Sequence, residues 1–80
     1  MKTVYLPEST SHPHRHYTGI TSDLRKRIRD HNSGQSPHTS KWRPWKIVLA
    51  LTFADEAQAY AFERYLKSGP GRAFAGRHFW

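Results

Sequence analysis

Short apolar runs alternate with polar, proline- and glycine-bearing stretches along the chain, and their periods predict its elements. Thr3-Val4-Tyr5-Leu6 reads as a short strand that Pro7 should stop, because proline has no N–H for a ladder. Glu8 to Pro13 is a polar loop and Arg15 to Ile20 a second strand, making a hairpin with a long connection. Gly19 near the end of that strand suggests a close backbone approach. Thr21 or Ser22 can cap the next helix, with Asp23 in its first turn, and Gly34 is placed to end it after Asn32. Pro37 to Pro44 is a loop. The continuous apolar stretch Trp45 to Phe53 predicts a strand buried on both faces. Asp55, with Gln58 three positions on, forms a capping-box pattern for a helix reaching Lys67. Ser68-Gly69-Pro70-Gly71 should break that helix, leaving Arg72 to His78 as a last short one. The order β-β-α-β-α plus a small terminal helix predicts an α+β fold, a three-stranded antiparallel sheet flanked by helices, with residues 1–80 as one domain.

The helical period also sorts polar residues. Advancing about 100° per residue puts Leu24, Ile28 and His31 on one stripe, with Arg27 at its edge beside His31. Arg25, Lys26 and Arg29 fall on the solvent side. In the second helix Ala59, Phe62 and Leu66 make the apolar stripe, and Glu63 lies about 60° from Leu66. An i,i+4 pair with Lys67 accounts for Glu63 without any chemistry. Tyr5 and Tyr17 stand on the two hairpin strands, where a half-buried packing role is the ordinary one. His12, His14 and His16 have period-2 spacing, but the prolines around them and the shortage of carboxylates argue against a metal site there.

Composition bounds the rest. Thirteen Lys and Arg against six Asp and Glu give a net charge of +7, spread from Lys2 to Arg77 with no polybasic tail. That is a folded basic surface, and it favours a polyanionic partner, nucleic acid first. With no cysteine there is no disulfide or thiolate metal site, so the domain must stand on packing. The longest apolar run, Ile47 to Leu51, is too short for a bilayer, and the amino terminus lacks a signal-peptide stretch. A soluble, cytoplasmic protein is the expectation.

Taken together, Val4-Tyr5-Leu6, Tyr17-Thr18-Gly19-Ile20-Thr21, Asp23-Leu24 with Arg27-Ile28 and His31-Asn32, Pro37-His38-Thr39-Ser40, Arg43-Pro44-Trp45 and Phe62-Glu63 with Leu66-Lys67-Ser68 resemble the GIY-YIG nuclease family, especially its small stand-alone members. The resemblance covers residues 2 to 78. Two departures are visible: the first tripeptide is Thr3-Val4-Tyr5 and the second Tyr17-Thr18-Gly19, so both tyrosines and the second glycine are kept.

The resemblance implies hydrolysis of DNA phosphodiesters with a single divalent metal, Mg²⁺ or Mn²⁺, held by Glu63. One carboxylate suffices for Mg²⁺, which keeps several waters and binds substrate phosphate. It implies Arg27 on the non-bridging oxygens of the scissile phosphate, Tyr5 at the attacking water and Tyr17 beside it. His31 is the alternative base, with a better intrinsic pKa than a phenol. Arg25, Lys26, Arg29, Lys41, Arg43 and Lys46 would bind flanking phosphates, making affinity fall steeply with salt. No base-reading module is evident, so low sequence specificity or selectivity for nicked, flapped or branched DNA is expected, as in DNA repair or processing. A non-catalytic basic nucleic-acid-binding module with the same fold, or a protein-interaction adaptor, would carry the same charge.

Overall fold

The computed structural model describes residues 1–80. Its elements are β1 (Lys2–Ser9), β2 (Gly19–Thr21), α1 (Leu24–Ser33), a 3₁₀ turn at Ser40–Trp42, β3 (Trp45–Phe53), α2 (Glu56–Lys67) and α3 (Gly69–His78). The sheet order is β2-β1-β3 and every pairing is antiparallel, so the α+β class and the three-stranded antiparallel sheet are as expected. β1 is central, and period-2 alternation gives its faces separate tasks. Val4 and Leu6 pack with Ala59, Leu66 and Ala75 of the helices, while Tyr5 turns the other way toward α1. The stripe expected on α2 forms: Ala59 and Leu66 are buried, and Phe62 packs against the same cluster.

Pro7 does not stop β1. The register shifts between Leu6, opposite Leu49, and Pro7, opposite Ile47, and a bulge is where a strand tolerates proline. The proline acts instead on the other neighbour. Tyr17 donates its N–H to the Pro7 carbonyl at 3.3 Å, but proline has no N–H to return. Regular pairing therefore shrinks to Gly19–Thr21, with only an isolated Glu8–His16 bridge in the stretch expected to extend it.

β3 has the predicted bounds but not the predicted environment. It is an edge strand: Trp45 is buried, Ile47, Leu49 and Phe53 are partly so, and Lys46, Val48 and Ala50 are exposed. A continuous apolar run here marks an edge with one covered face. On α1 the cap is Asp23 itself, whose side chain accepts from the Lys26 N–H at 3.1 Å. Thr21 supports that cap by accepting from the Asp23 N–H at 3.1 Å. Gly34 closes the helix in the left-handed region at φ 86°, as expected. Asp55 caps α2, accepting from Ala57 and Gln58.

The Gly69-Pro70-Gly71 segment is the first turn of α3 and not a gap before it. Ser68 caps it by accepting from the Gly71 N–H at 3.3 Å, and Pro70 sits where the helix needs no N–H. Gly71 is buried because α3 folds straight back on α2: a Cβ there would stand 1.7 Å from the Tyr65 carbonyl oxygen. Gly71→Ala should therefore destabilise the chain by about 3 kcal/mol, roughly 15 °C in Tm for a domain of this size. Gly76→Ala, whose Cβ meets nothing within 4 Å, should leave Tm unchanged or raise it slightly. Thermal unfolding followed by circular dichroism compares the two.

Candidate active site

The sheet face opposite the main core is organised around one imidazole. Tyr5 pairs across the ladder with Gly19, and a Cβ at residue 19 would stand 2.5 Å from the Tyr5 ring. The missing side chain lets the phenol lie across β2 and bring its hydroxyl 3.3 Å from His31 Nε2. Tyr17 bonds the same nitrogen through its own hydroxyl. The two tyrosine rings meet edge to face with centroids 6.0 Å apart, and Tyr17 also rests edge-on against Trp45 at 5.2 Å. Tyr5 is 1% exposed, whereas Tyr17 is only half-buried.

The far side of the imidazole fixes its tautomer. His31 Nδ1 lies 2.8 Å from Thr39 Oγ1, and that hydroxyl has the Ser36 carbonyl as its own acceptor at 3.5 Å. With Nδ1–H donating to Thr39, the single Nε2 lone pair is shared between the two phenol hydroxyls. Thr39 is held in turn by Trp45, whose indole N–H donates to the Thr39 carbonyl at 2.9 Å. Trp45 is tied to α1 because its backbone carbonyl accepts from the Asn32 side chain at 3.1 Å. Thr39, Trp45 and Asn32 received no role from the sequence, although all three lie within the quoted motif segments. Asn32 follows His31 on α1, while Thr39 and Trp45 reach this cluster only through the packing of the 3₁₀ turn and the start of β3 on that helix, which periodicity does not show.

Charge sets the protonation of this cluster. Burial, and then the nearby Arg27 guanidinium, hold the His31 pKa below its ordinary value, against a smaller opposing pull from Asp30. Burial, reinforced by Tyr5, pushes the Tyr17 phenol well above the usual tyrosine range, with Arg27 pulling the other way. At neutral pH the imidazole is therefore a free base and Tyr17 a neutral donor. Arg27 is exposed, lining an open cleft with Thr21, Asp23 and His31, and is not held at the core edge as the helix arithmetic suggested. The arginine side chain is long enough to leave the stripe for water while its charge still reaches the tyrosine–histidine cluster.

Glu63 stands on α2. Its side chain is 12% exposed and its Oε2 lies 2.5 Å from Lys67 Nζ, the i,i+4 pair anticipated from spacing. Lys67 and Tyr17 line one cleft, and neither Glu63 nor His31 is among its lining residues. No group of three His, Cys, Asp or Glu side chains gathers anywhere, so the chain builds no multi-ligand metal cage. A mostly buried single carboxylate fits a hard cation that keeps water and takes phosphate oxygens.

The six outer basic residues divide. Arg25 and Arg29 are exposed on α1, while Lys26 is paired with Asp30 at 2.9 Å and Lys46 with Glu8 at 3.4 Å. The Lys41 ammonium sits 5.6 Å from the Trp42 ring, and the exposed Arg43 reaches back over Gly34. Of the three period-2 histidines, His12 meets the Trp42 ring edge-on at 4.9 Å, while His16 stacks on Trp80 at 3.9 Å.

The chain is 37% identical over 72 residues to a structure-specific endonuclease subunit SLX1 homolog of Giardia intestinalis, covering 85% of this chain and 20% of that one. It is 36% identical over 52 residues to the UPF0213 protein YazA of Bacillus subtilis, covering 64% of this chain and 52% of YazA. A UPF0213 protein of Streptococcus pneumoniae is 38% identical over 53 residues, 65% of this chain and 54% of its own. The chain thus spans about half the length of the two UPF0213 relatives and a fifth of the Giardia protein. Residues 1–72 match the GIY-YIG catalytic domain, and the chain belongs to the GIY-YIG family.

Proposed function

We propose that residues 1–80 form a single metal-dependent endonuclease domain that hydrolyses DNA phosphodiesters with low sequence specificity and with preference for branched, nicked or flapped DNA. The observation that carries this reading is the position of the His31 imidazole, its Nε2 within hydrogen-bonding reach of two tyrosine hydroxyls while its Nδ1 meets Thr39. The Giardia relative, a structure-specific endonuclease subunit homolog, supports structure selectivity, and the charge of +7 supports DNA as the partner.

In this reading the attacking water loses its proton to the Tyr17 oxygen as the Tyr17 proton moves to His31 Nε2. The concerted transfer avoids a free phenolate, which the raised pKa of Tyr17 disfavours. Near-complete burial of Tyr5 favours Tyr17 at the water and leaves Tyr5 to hold the imidazole from its other side. The exposed Arg27 guanidinium grips the non-bridging oxygens of the scissile phosphate with its planar fork. Water oxygen then bonds to phosphorus as the 3′ oxygen leaves. Glu63 would hold Mg²⁺ or Mn²⁺, an ion that neutralises charge developing on the phosphate and the leaving oxygen. Arg25, Arg29, Lys41 and Arg43 grip flanking phosphates, joined by Lys26 and Lys46 when their carboxylate partners yield.

One observation favours a second reading. The Glu63 carboxylate already has a cation, Lys67 at 2.5 Å, as it would in a basic DNA-binding module without turnover. A cleavage panel separates the two. Linear, nicked, flapped and branched DNA are incubated with the chain in Mg²⁺, Mn²⁺ or EDTA. Metal-dependent nicking, strongest on the branched and flapped forms, is the expected result. Salt-sensitive binding with no cleavage of any form would establish the non-catalytic module.

A further inference from the structure

A cleft of about 710 Å³ opens beside Tyr17, and apart from Tyr17 none of its lining residues takes part in the chemistry above. His16 and Tyr17 line it from the segment entering β2, Leu66 and Lys67 from the end of α2, and Arg72 and Trp80 from α3 and beyond. No side-chain carboxylate lines it, and of its cations Lys67 is shared with Glu63 while Arg72 is exposed. Two of its side chains are flat and already parallel: the His16 and Trp80 rings are stacked, centroids 3.9 Å apart and 13° between planes. Trp80 packs against the core cluster and His16 is exposed, so the stack is anchored at its inner ring and open at its outer one. The family match ends at residue 72, so Trp80 belongs to a wall that lies beyond it.

A basic cleft with an anchored aromatic stack suits a flat, anionic ligand. Its volume is in the range, about 300–1,000 Å³, of pockets that enclose a small molecule. Extending an existing stack orders few new groups, so the binding surface is preorganised. A base inside a duplex cannot enter, because its faces are covered by its neighbours. An unpaired base can stack on the rings. We propose that this cleft is a subsite for one unpaired nucleotide, its base extending the His16–Trp80 stack and its phosphate gripped by Arg72. Tyr17 belongs both to this cleft and to the imidazole cluster, so the nucleotide lies next to the bond that is cut. The position of the cut rests on the nuclease reading above, whereas the binding does not.

The test measures binding in EDTA by fluorescence anisotropy, comparing a blunt DNA hairpin with the same hairpin carrying a short single-stranded thymidine overhang. Wild-type chain should prefer the overhang by about tenfold, the scale of one base–aromatic stack. His16→Ala and Trp80→Ala should remove most of that preference, Trp80→Phe should keep it, and Arg29→Ala should weaken both DNAs alike. His16 is exposed, so its variant reports even where Trp80→Ala loosens the fold. Equal binding of the two hairpins by wild type, or a preference untouched in His16→Ala, overturns the subsite. A preference without any cleavage in Mg²⁺ supports the subsite and sinks the nuclease reading. Cleavage without a preference sinks the subsite alone.

Discussion

Replacing Glu63 with alanine should lower metal-dependent cleavage by about a thousandfold or more and leave DNA binding nearly unchanged. A metal's charge stabilisation at a reacting phosphate is worth several kcal/mol, and about 4 kcal/mol corresponds to three decades of rate. Glu63 is the acid proposed to hold that metal. Binding should persist because the phosphate grip belongs to arginines and lysines, and removing a carboxylate raises the net charge. The fold should also persist. The Glu63–Lys67 pair joins a mostly buried carboxylate to a half-exposed ammonium one turn along the helix, and such i,i+4 pairs contribute about 0.3–0.5 kcal/mol. Alanine has the highest helix propensity, which offsets part of that loss. Tm should therefore move by only a few degrees while activity disappears. Cleavage of a flapped substrate by Glu63→Ala at the wild-type rate would remove Glu63 from the mechanism.

The contrast between those two effects also shows why Glu63 is hard to read from sequence. Its spacing from Lys67 is real and forms the ion pair, so the structural explanation of the residue is true. The proposed metal role cannot be read from spacing, because only the fold brings the end of α2, Leu66 and Lys67, to the cleft that Tyr17 lines. The same division runs through the chain. Helix caps and stripes are local, and Gly34, Asp55 and the Ala59–Phe62–Leu66 face stand where their chemistry put them. Pro7 is local chemistry with a non-local answer: it ends regular pairing on β2 and leaves pairing with β3 intact through a bulge. Gly19 illustrates the point best. A close approach was legible from a glycine in a strand, yet what approaches is the Tyr5 ring, fixed by cross-strand register. Thr39 as the partner of His31, and Trp45 as the partner of Thr39, were invisible, since a 3₁₀ turn and a strand start meet α1 only after folding.

His31 is where the remaining large effect is expected. Removing a positioned base commonly lowers a rate by about 10²–10⁴-fold, and His31→Ala should fall in that range. It also strands two tyrosine hydroxyls without their acceptor, a destabilisation of about 1–3 kcal/mol, so a second variant is needed. His31→Gln offers an amide in place of the imidazole and cannot take up a proton near neutral pH. The pH profile then separates positioning from proton transfer. Burial and Arg27 hold the folded pKa of His31 below its ordinary 6.5, so wild-type cleavage should be full at pH 7 and fall only as pH drops through that depressed value. Stability follows the same sign. Above 6.5 the imidazole is neutral in both states; as pH falls, the unfolded chain binds the proton first, and His31's contribution is lost through the folded value. Arg27→Gln removes the second cause of the depression, so the acid limb of stability should move up toward 6.5. His31→Gln should cleave at least a hundredfold more slowly with that acid limb gone. A His31→Gln chain that keeps both the wild-type rate and its acid limb would show that the proton goes elsewhere.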